Sequence, residues 1–279
     1  MSFFDAVGVN EIMERHAEQV MDLEDKQAKF LIKKYREIRQ ELRDRLDAFP
    51  DGTFTSQQLR GILTQVDAAL LAMQDRLNGG MLEASDVIAE EGIRQAVGEL
   101  EAFEGIFTGA VVPINLNAVL VGQDTKNFLI NRYEASIAAY SQDLRADLTN
   151  QLTNSMIAEE NLSLVVRRLG RYFLGEEWKL LRIARTELHN VYNIAKLNSY
   201  KEVRANQLPD LKKSLYHPMD HRTGKDSLAL AEENPIVDVD KPFRQTFNGK
   251  KYVFMAPPNR PNDRAVLIPY RESWNKSAS

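Results

Sequence analysis

The chain contains no cysteine, which excludes disulfide frameworks, thiolate nucleophiles and cysteine-built zinc sites together. No apolar run approaches the roughly 20 residues needed to span a bilayer. The first twenty residues lack a basic segment followed by a continuous apolar one, so no signal peptide and no membrane association are expected. Phosphate-cradling and catalytic signatures are missing too. There is no G-x-x-x-x-G-K-[ST], no G-x-S-x-G, no dinucleotide fingerprint and no H-E-x-x-H, since Glu187-Leu188-His189 has the wrong spacing. Nothing assembles a nucleophile, a base and an orienting group. The expectation is therefore a protein that is not an enzyme and that carries no cofactor.

What is present suits a folded chain with a substantial core. Of 279 residues, 43% are hydrophobic and 27% charged, enough for one large domain or two ordinary ones. The net charge of −4 is uneven. Residues 201–279 hold 14 basic against 10 acidic side chains, while residues 1–200 hold 22 against 30. A mildly basic C-terminal part on an acidic body can face nucleic acid or an acidic partner, although ordinary surface variation produces the same imbalance.

Helical periodicity dominates the first two thirds. From Asn10 to Ala48, the residues Val20, Leu23, Phe30, Leu31, Tyr35, Ile38, Leu42 and Leu46 recur at three- and four-residue steps among dense charges. At about 1.5 Å per residue such a helix is over about 50 Å long, and it must pair with another long helix or project toward a partner. Thr55 and Gln58 have capping-box spacing, and Asn78-Gly79-Gly80 reads as a helix stop. Further helices are predicted over 81–107, 124–153, 162–174 (with Asn161 as cap) and 176–205. Beyond Pro209 the texture changes to prolines and short β-like runs at 236–239, 243–247, 252–255 and 265–268, and Asn248-Gly249 is a hairpin-turn signal. The predicted fold is α+β: a mostly helical body with long helices over 1–208, followed by a small, Pro-rich, β-hairpin-rich module over 209–279 that packs on the last helix (176–205).

Several short motifs lie in fixed order over the last third. Ala184-Arg185-Thr186-Glu187 is followed by Asn190 and Asn193 on the last helix. Asp220-His221-Arg222-Thr223 comes next, then Val239-Asp240-Lys241-Pro242-Phe243, the Asn248-Gly249 turn, and a Pro-rich stretch containing Asp263-Arg264 that leads into the terminal strand. In this order the stretch from Arg182 to Trp274 resembles the phage head-morphogenesis family, the Mu F-like minor head proteins of tailed phages. The resemblance implies a structural virion protein, assembled in the host cytoplasm and resident in the head. It also implies several copies per particle and association with the portal protein or the major capsid protein. Many members of that family have a second Arg after D-x-R-T, a His soon after it, and Cys-Arg-Cys in the closing strand. Here Gly224, Ser227 and Asp263-Arg264-Ala265 stand instead, so any metal site formed there in relatives is lost.

A small β module without cysteines has a thin core, and Arg–carboxylate pairs are an effective way to fix its loops. Arg185, Thr186, Glu187, Asn193, Asp220, Arg222, Thr223, Asp263 and Arg264 are the candidate polar cluster, with Arg185 or Glu187 expected to tie the last helix to the loops. The alternative function is a DNA-binding or genome-ejected internal virion protein, in which packaged DNA is met by Lys250, Lys251, Arg260 and Arg271, with Tyr252, Tyr270 and Trp274 nearby. A hydrolase or transferase domain on a helical stalk is the third class. His217 and His221 with Asp220 and Asp226 have donor chemistry for zinc, but Pro218 disfavours helix after His217, and no metal is expected.

Overall fold

The computed structural model describes residues 3, 6–49, 52–218, 235–258 and 263–275. Among the described residues five α-helices come first: α1 (Val7–Asp47), α2 (Ser56–Thr108), α3 (Ala118–Ile157), α4 (Leu162–Gly175) and α5 (Glu177–Asn206). Five short strands follow, β1 (Lys212–Tyr216), β2 (Val237–Asp238), β3 (Phe243–Phe247), β4 (Lys250–Phe254) and β5 (Val266–Tyr270), and then a 3-10 turn at Glu272–Asn275. A mostly helical chain ending in small antiparallel sheets is what the periodicity and turn signals predict.

Local signals act where they were read. The Thr55 amide donates to Gln58 Oε1 at 2.9 Å and the Gln58 amide donates back to Thr55 Oγ1 at 3.3 Å, a reciprocal capping box that opens α2. Asn161 caps α4 by accepting from the Ser163 amide at 2.9 Å. Asn248 and Gly249 both take positive φ (48° and 74°), the two-residue turn that joins β3 to β4 with Phe247 opposite Lys250.

One predicted stop is overturned. Helix α2 runs through Asn78-Gly79-Gly80 without a break. Its apolar period continues in phase on either side, through Leu70, Met73, Leu77, Met81, Ala84 and Ile88, all buried. Gly80 is also used for close packing: a Cβ there would stand 2.8 Å from Lys34 Cδ. Burial of the stripe outweighs a glycine cost of about 1 kcal/mol per residue.

The chain packs as two compact units, each assembled from separated segments. One comprises Met1–Lys26, Ala84–Leu129 and Arg185–Ser279, and the other Gln27–Glu83 and Ile130–Ala184. The change from helix to strand falls between Asn206 and Lys212, inside the first unit. The strands share a unit with parts of α1, α2, α3 and α5, because strands of two to five residues need helical apolar faces to bury against.

Among the described residues the second unit is helical apart from an isolated bridge between Thr53 and Asn161. Tyr35, Ile38, Leu42 and Leu46 of α1, Ile62, Val66 and Leu70 of α2, Leu144, Leu148 and Leu152 of α3, and Val165, Leu169 and Phe173 of α4 form one core. Here the long helices bury their stripes within the chain. The first unit holds a sheet in the order β2-β1-β5, antiparallel throughout, and the separate β3–β4 hairpin. Strand β5 is buried along its whole length, and Pro269 is tolerated because β5 is an edge strand. Phe3, Phe103, Tyr270 and Trp274 close this unit as an aromatic cluster, with ring centroids 5.4 to 5.6 Å apart.

A buried polar joint as the candidate functional site

Helix α5 presents a polar face to the interior of the first unit. His189, Asn193, Lys196 and Tyr200 follow one another at three- and four-residue steps, so they share one side of the helix, and all are buried. Each finds partners on another element.

Asn193 is fully buried and joins α5 to β5. Its Oδ1 accepts from the Leu267 amide at 2.7 Å, and its Nδ2 donates to the Ala265 carbonyl at 3.4 Å and to the His189 carbonyl at 3.1 Å. One turn earlier, His189 lies between two acceptors: Glu24 Oε1 on α1 at 2.6 Å from Nδ1, and the Ala265 carbonyl at 2.7 Å from Nε2. A carbonyl only accepts, so Nε2 carries a proton, and the carboxylate takes the second proton on Nδ1. Burial works against the charged ring, but the Glu24 carboxylate and the Ala265 carbonyl outweigh it and hold the imidazolium above the ordinary histidine range. Both ring nitrogens are thus committed to joining α1, α5 and β5.

The next turns of α5 meet α2. Glu99, with no exposed surface, accepts from Lys196 Nζ at 2.6 Å and Tyr200 Oη at 2.9 Å, and pairs with His16 Nδ1 of α1 at 2.9 Å. Burial opposes its ionisation, but the Lys196 ammonium and the His16 ring hold the carboxyl below its usual range. Tyr192 Oη donates to Gln95 Oε1 at 2.5 Å. At Gly92 the helices α2 and α5 come so close that a Cβ would lie 2.7 Å from the Tyr192 carbonyl.

The residues singled out from sequence divide in the structure. Asn193 stands in this joint. Asp263 is buried beside it, its Oδ1 accepting from the Ala265 amide at 3.2 Å. Arg264 lays its guanidinium against Met21 of α1, with Nε 3.0 Å from the sulfur. Glu187 is buried and Thr186 half-buried on the same helix. Of Arg185 and Glu187, either of which is expected from sequence to tie the helix to the C-terminal loops, Arg185 pairs with Asp25 of α1 at the surface. Asp220, Arg222 and Thr223 lie outside the described residues, as do His221 and Asp226.

Arg271, read as a nucleic-acid contact, is spent internally: it pairs with Glu104 and, at 2.8 Å, with Asp210. Trp274 is core and donates from Nε1 to the same Glu104 at 3.2 Å. Lys250 and Lys251 remain exposed on the hairpin, and Arg260 lies outside the described residues. Among the described residues no three His, Asp or Glu side chains form a metal-ligand group.

Sequence reading missed Glu24, Glu99, His16, Lys196 and Tyr200. A signal was there for two of them. Glu24 occupies the core register of α1 between Val20 and Ala28, and Glu99 interrupts Ala96, Leu100 and Phe103 in α2. A carboxylate inside an apolar stripe needs a buried partner. No protein-family model, no curated protein and no solved structure matches the chain.

Proposed function

We propose that this chain is a structural minor capsid protein of a tailed bacteriophage, acting in head morphogenesis beside the portal or the inner capsid. The observation that carries the reading is the Asn193 clamp. Motif residues on α5 and on the closing strand, far apart in sequence, lie around one buried joint in which Asn193 binds Ala265 and Leu267. Asn193 and Asp263 of the motif direct their hydrogen bonds inward, as suits a part whose task is to hold shape within an assembly. On this reading the protein resides in the virion head in several copies, after assembly in the host cytoplasm.

Co-expression with the portal and major capsid proteins of the same gene cluster tests it. The tagged chain is expected to sediment with portal rings or procapsids in a density gradient. Recovery only at the top of the gradient, with procapsids formed normally, contradicts the proposal.

The second reading, a DNA-binding or genome-ejected internal protein, is favoured by exposed Lys250 and Lys251 on the hairpin, where Lys250 Nζ stands 5.2 Å over the Tyr252 ring. A salt-dependent gel shift abolished by Lys250→Glu/Lys251→Glu is its expected signature. An equal shift for both proteins counts against it.

A further inference from the structure

The helical unit carries a groove of about 540 Å³ between the C-terminal part of α1 and α4. Leu42, Leu46, Leu169 and Phe173 form its apolar lining. Two walls rise beside it, each bearing a pair of arginines four residues apart: Arg39 and Arg43 on α1, Arg167 and Arg171 on α4. The lining residues include one carboxylate, Asp47.

Internal pairing engages both arginines of the α1 wall and leaves the α4 wall unpaired among the described residues. Arg39 donates to Glu177 at 2.6 Å, and Arg43 stands 3.7 Å from Asp47 with both side chains largely exposed. Arg167 and Arg171 are exposed and make no hydrogen bond or ion pair with any described residue. Their guanidinium groups flank an apolar trough without a protein counter-charge.

We propose that this groove is a docking site for an acidic amphipathic helix of a partner protein. Arginines four apart repeat every ~6 Å along a helix axis, so each wall matches carboxylates spaced one turn apart on an incoming helix. Two such walls match acidic residues on both sides of a leucine stripe, and the stripe fills the trough. A ligand with a single anionic head reaches one end of the array and leaves the other cations unmatched, so a multiply charged segment is the better complement. The proposal stands independently of the head-assembly reading, because it concerns the groove of the purified chain alone.

The test is fluorescence anisotropy on the full chain. The probe is a labelled peptide of roughly 20 residues, long enough to be helical, with leucines at i, i+3, i+4 and i+7 and glutamates on both flanks. Saturable binding is expected, weakened at least about tenfold by Arg167→Glu/Arg171→Glu and regained by that variant with a peptide carrying lysine for glutamate on one flank only. Both positions are exposed, and Arg167→Gln/Arg171→Gln serves as a second variant if thermal melting shows the reversal to be unfolded. Failure of the wild type to bind overturns the proposal. Equal binding by wild type and variants, or undiminished binding of a peptide with serine for leucine, overturns it as well. So does capture of phosphatidylglycerol–phosphatidylcholine vesicles without capture of the peptide, which assigns the groove to a membrane surface.

Discussion

Asn193 makes three hydrogen bonds from a position without solvent exposure, one to Leu267 of β5 and one to Ala265 just before it. Asn193→Ala leaves the Leu267 amide unsatisfied in the interior and is expected to cost about 2–3 kcal/mol in urea unfolding. Arg185→Ala removes a surface pair with Asp25 and should cost under about 1 kcal/mol. The motif is therefore not uniform: its asparagine matters more than its arginine. His189 adds a pH dependence. Its folded pKa is raised, so its protonation stabilises fully below the unfolded value of about 6.5 and is lost as pH rises through the folded value. The destabilisation caused by His189→Gln should then be larger at about pH 5.5 than at about pH 8.5; the opposite order contradicts an imidazolium between Glu24 and Ala265. Asn193 was legible as part of a motif, whereas the partners of His189 were not, because Glu24 and Ala265 lie 165 and 76 residues away.

At the scale of elements, helix α2 shows how packing overrides local preference. Gly79 and Gly92 both sit inside it, but they differ in surroundings. A Cβ at Gly79 meets nothing within 4 Å, while one at Gly92 meets the Tyr192 carbonyl at 2.7 Å and Ala195 Cβ at 3.0 Å. Gly79→Ala should stabilise by about 0.5–1 kcal/mol through helix propensity. Gly92→Ala should destabilise by about 1–3 kcal/mol by forcing α2 from α5, and thermal melts of the two variants give opposite signs. Caps, hairpin and helix stripes were readable because each depends on residues within a turn of one another, as at Thr55 with Gln58. Continuity through Gly79-Gly80 was not, since it depends on what the apolar stripe meets. Strand β1 was also missed: its central residues Lys213, Ser214 and Leu215 are all buried, so it shows no alternation of polar and apolar faces. Lys213 instead donates to the Met255 carbonyl at 2.8 Å and lies over the Phe243 ring.

For the whole molecule, the buried ion pair is the most consequential feature of the first unit. Lys196 and Glu99 have no exposed surface, and removing Lys196 takes the ammonium from a carboxylate that keeps only His16 and Tyr200 as partners. Lys196→Met is expected to cost about 3–5 kcal/mol, and Lys196→Met/Glu99→Leu less than the sum of the single changes. Additive losses would show that the pair acts as two separate groups. The strands after residue 208 complete this same unit, with Tyr270 and Trp274 in its aromatic cluster. Leu211, Leu215, Phe243, Leu267 and Trp274 are thus part of a core shared with the helices, and composition alone concealed that. The functional account rests on head residence, which quantitative mass spectrometry of gradient-purified heads measures directly, before and after DNA ejection. A structural head protein is predicted at a constant few copies per major capsid shell, retained in the empty shells. Absence from heads formed in cells that express the chain, or complete loss with the ejected DNA, contradicts that account.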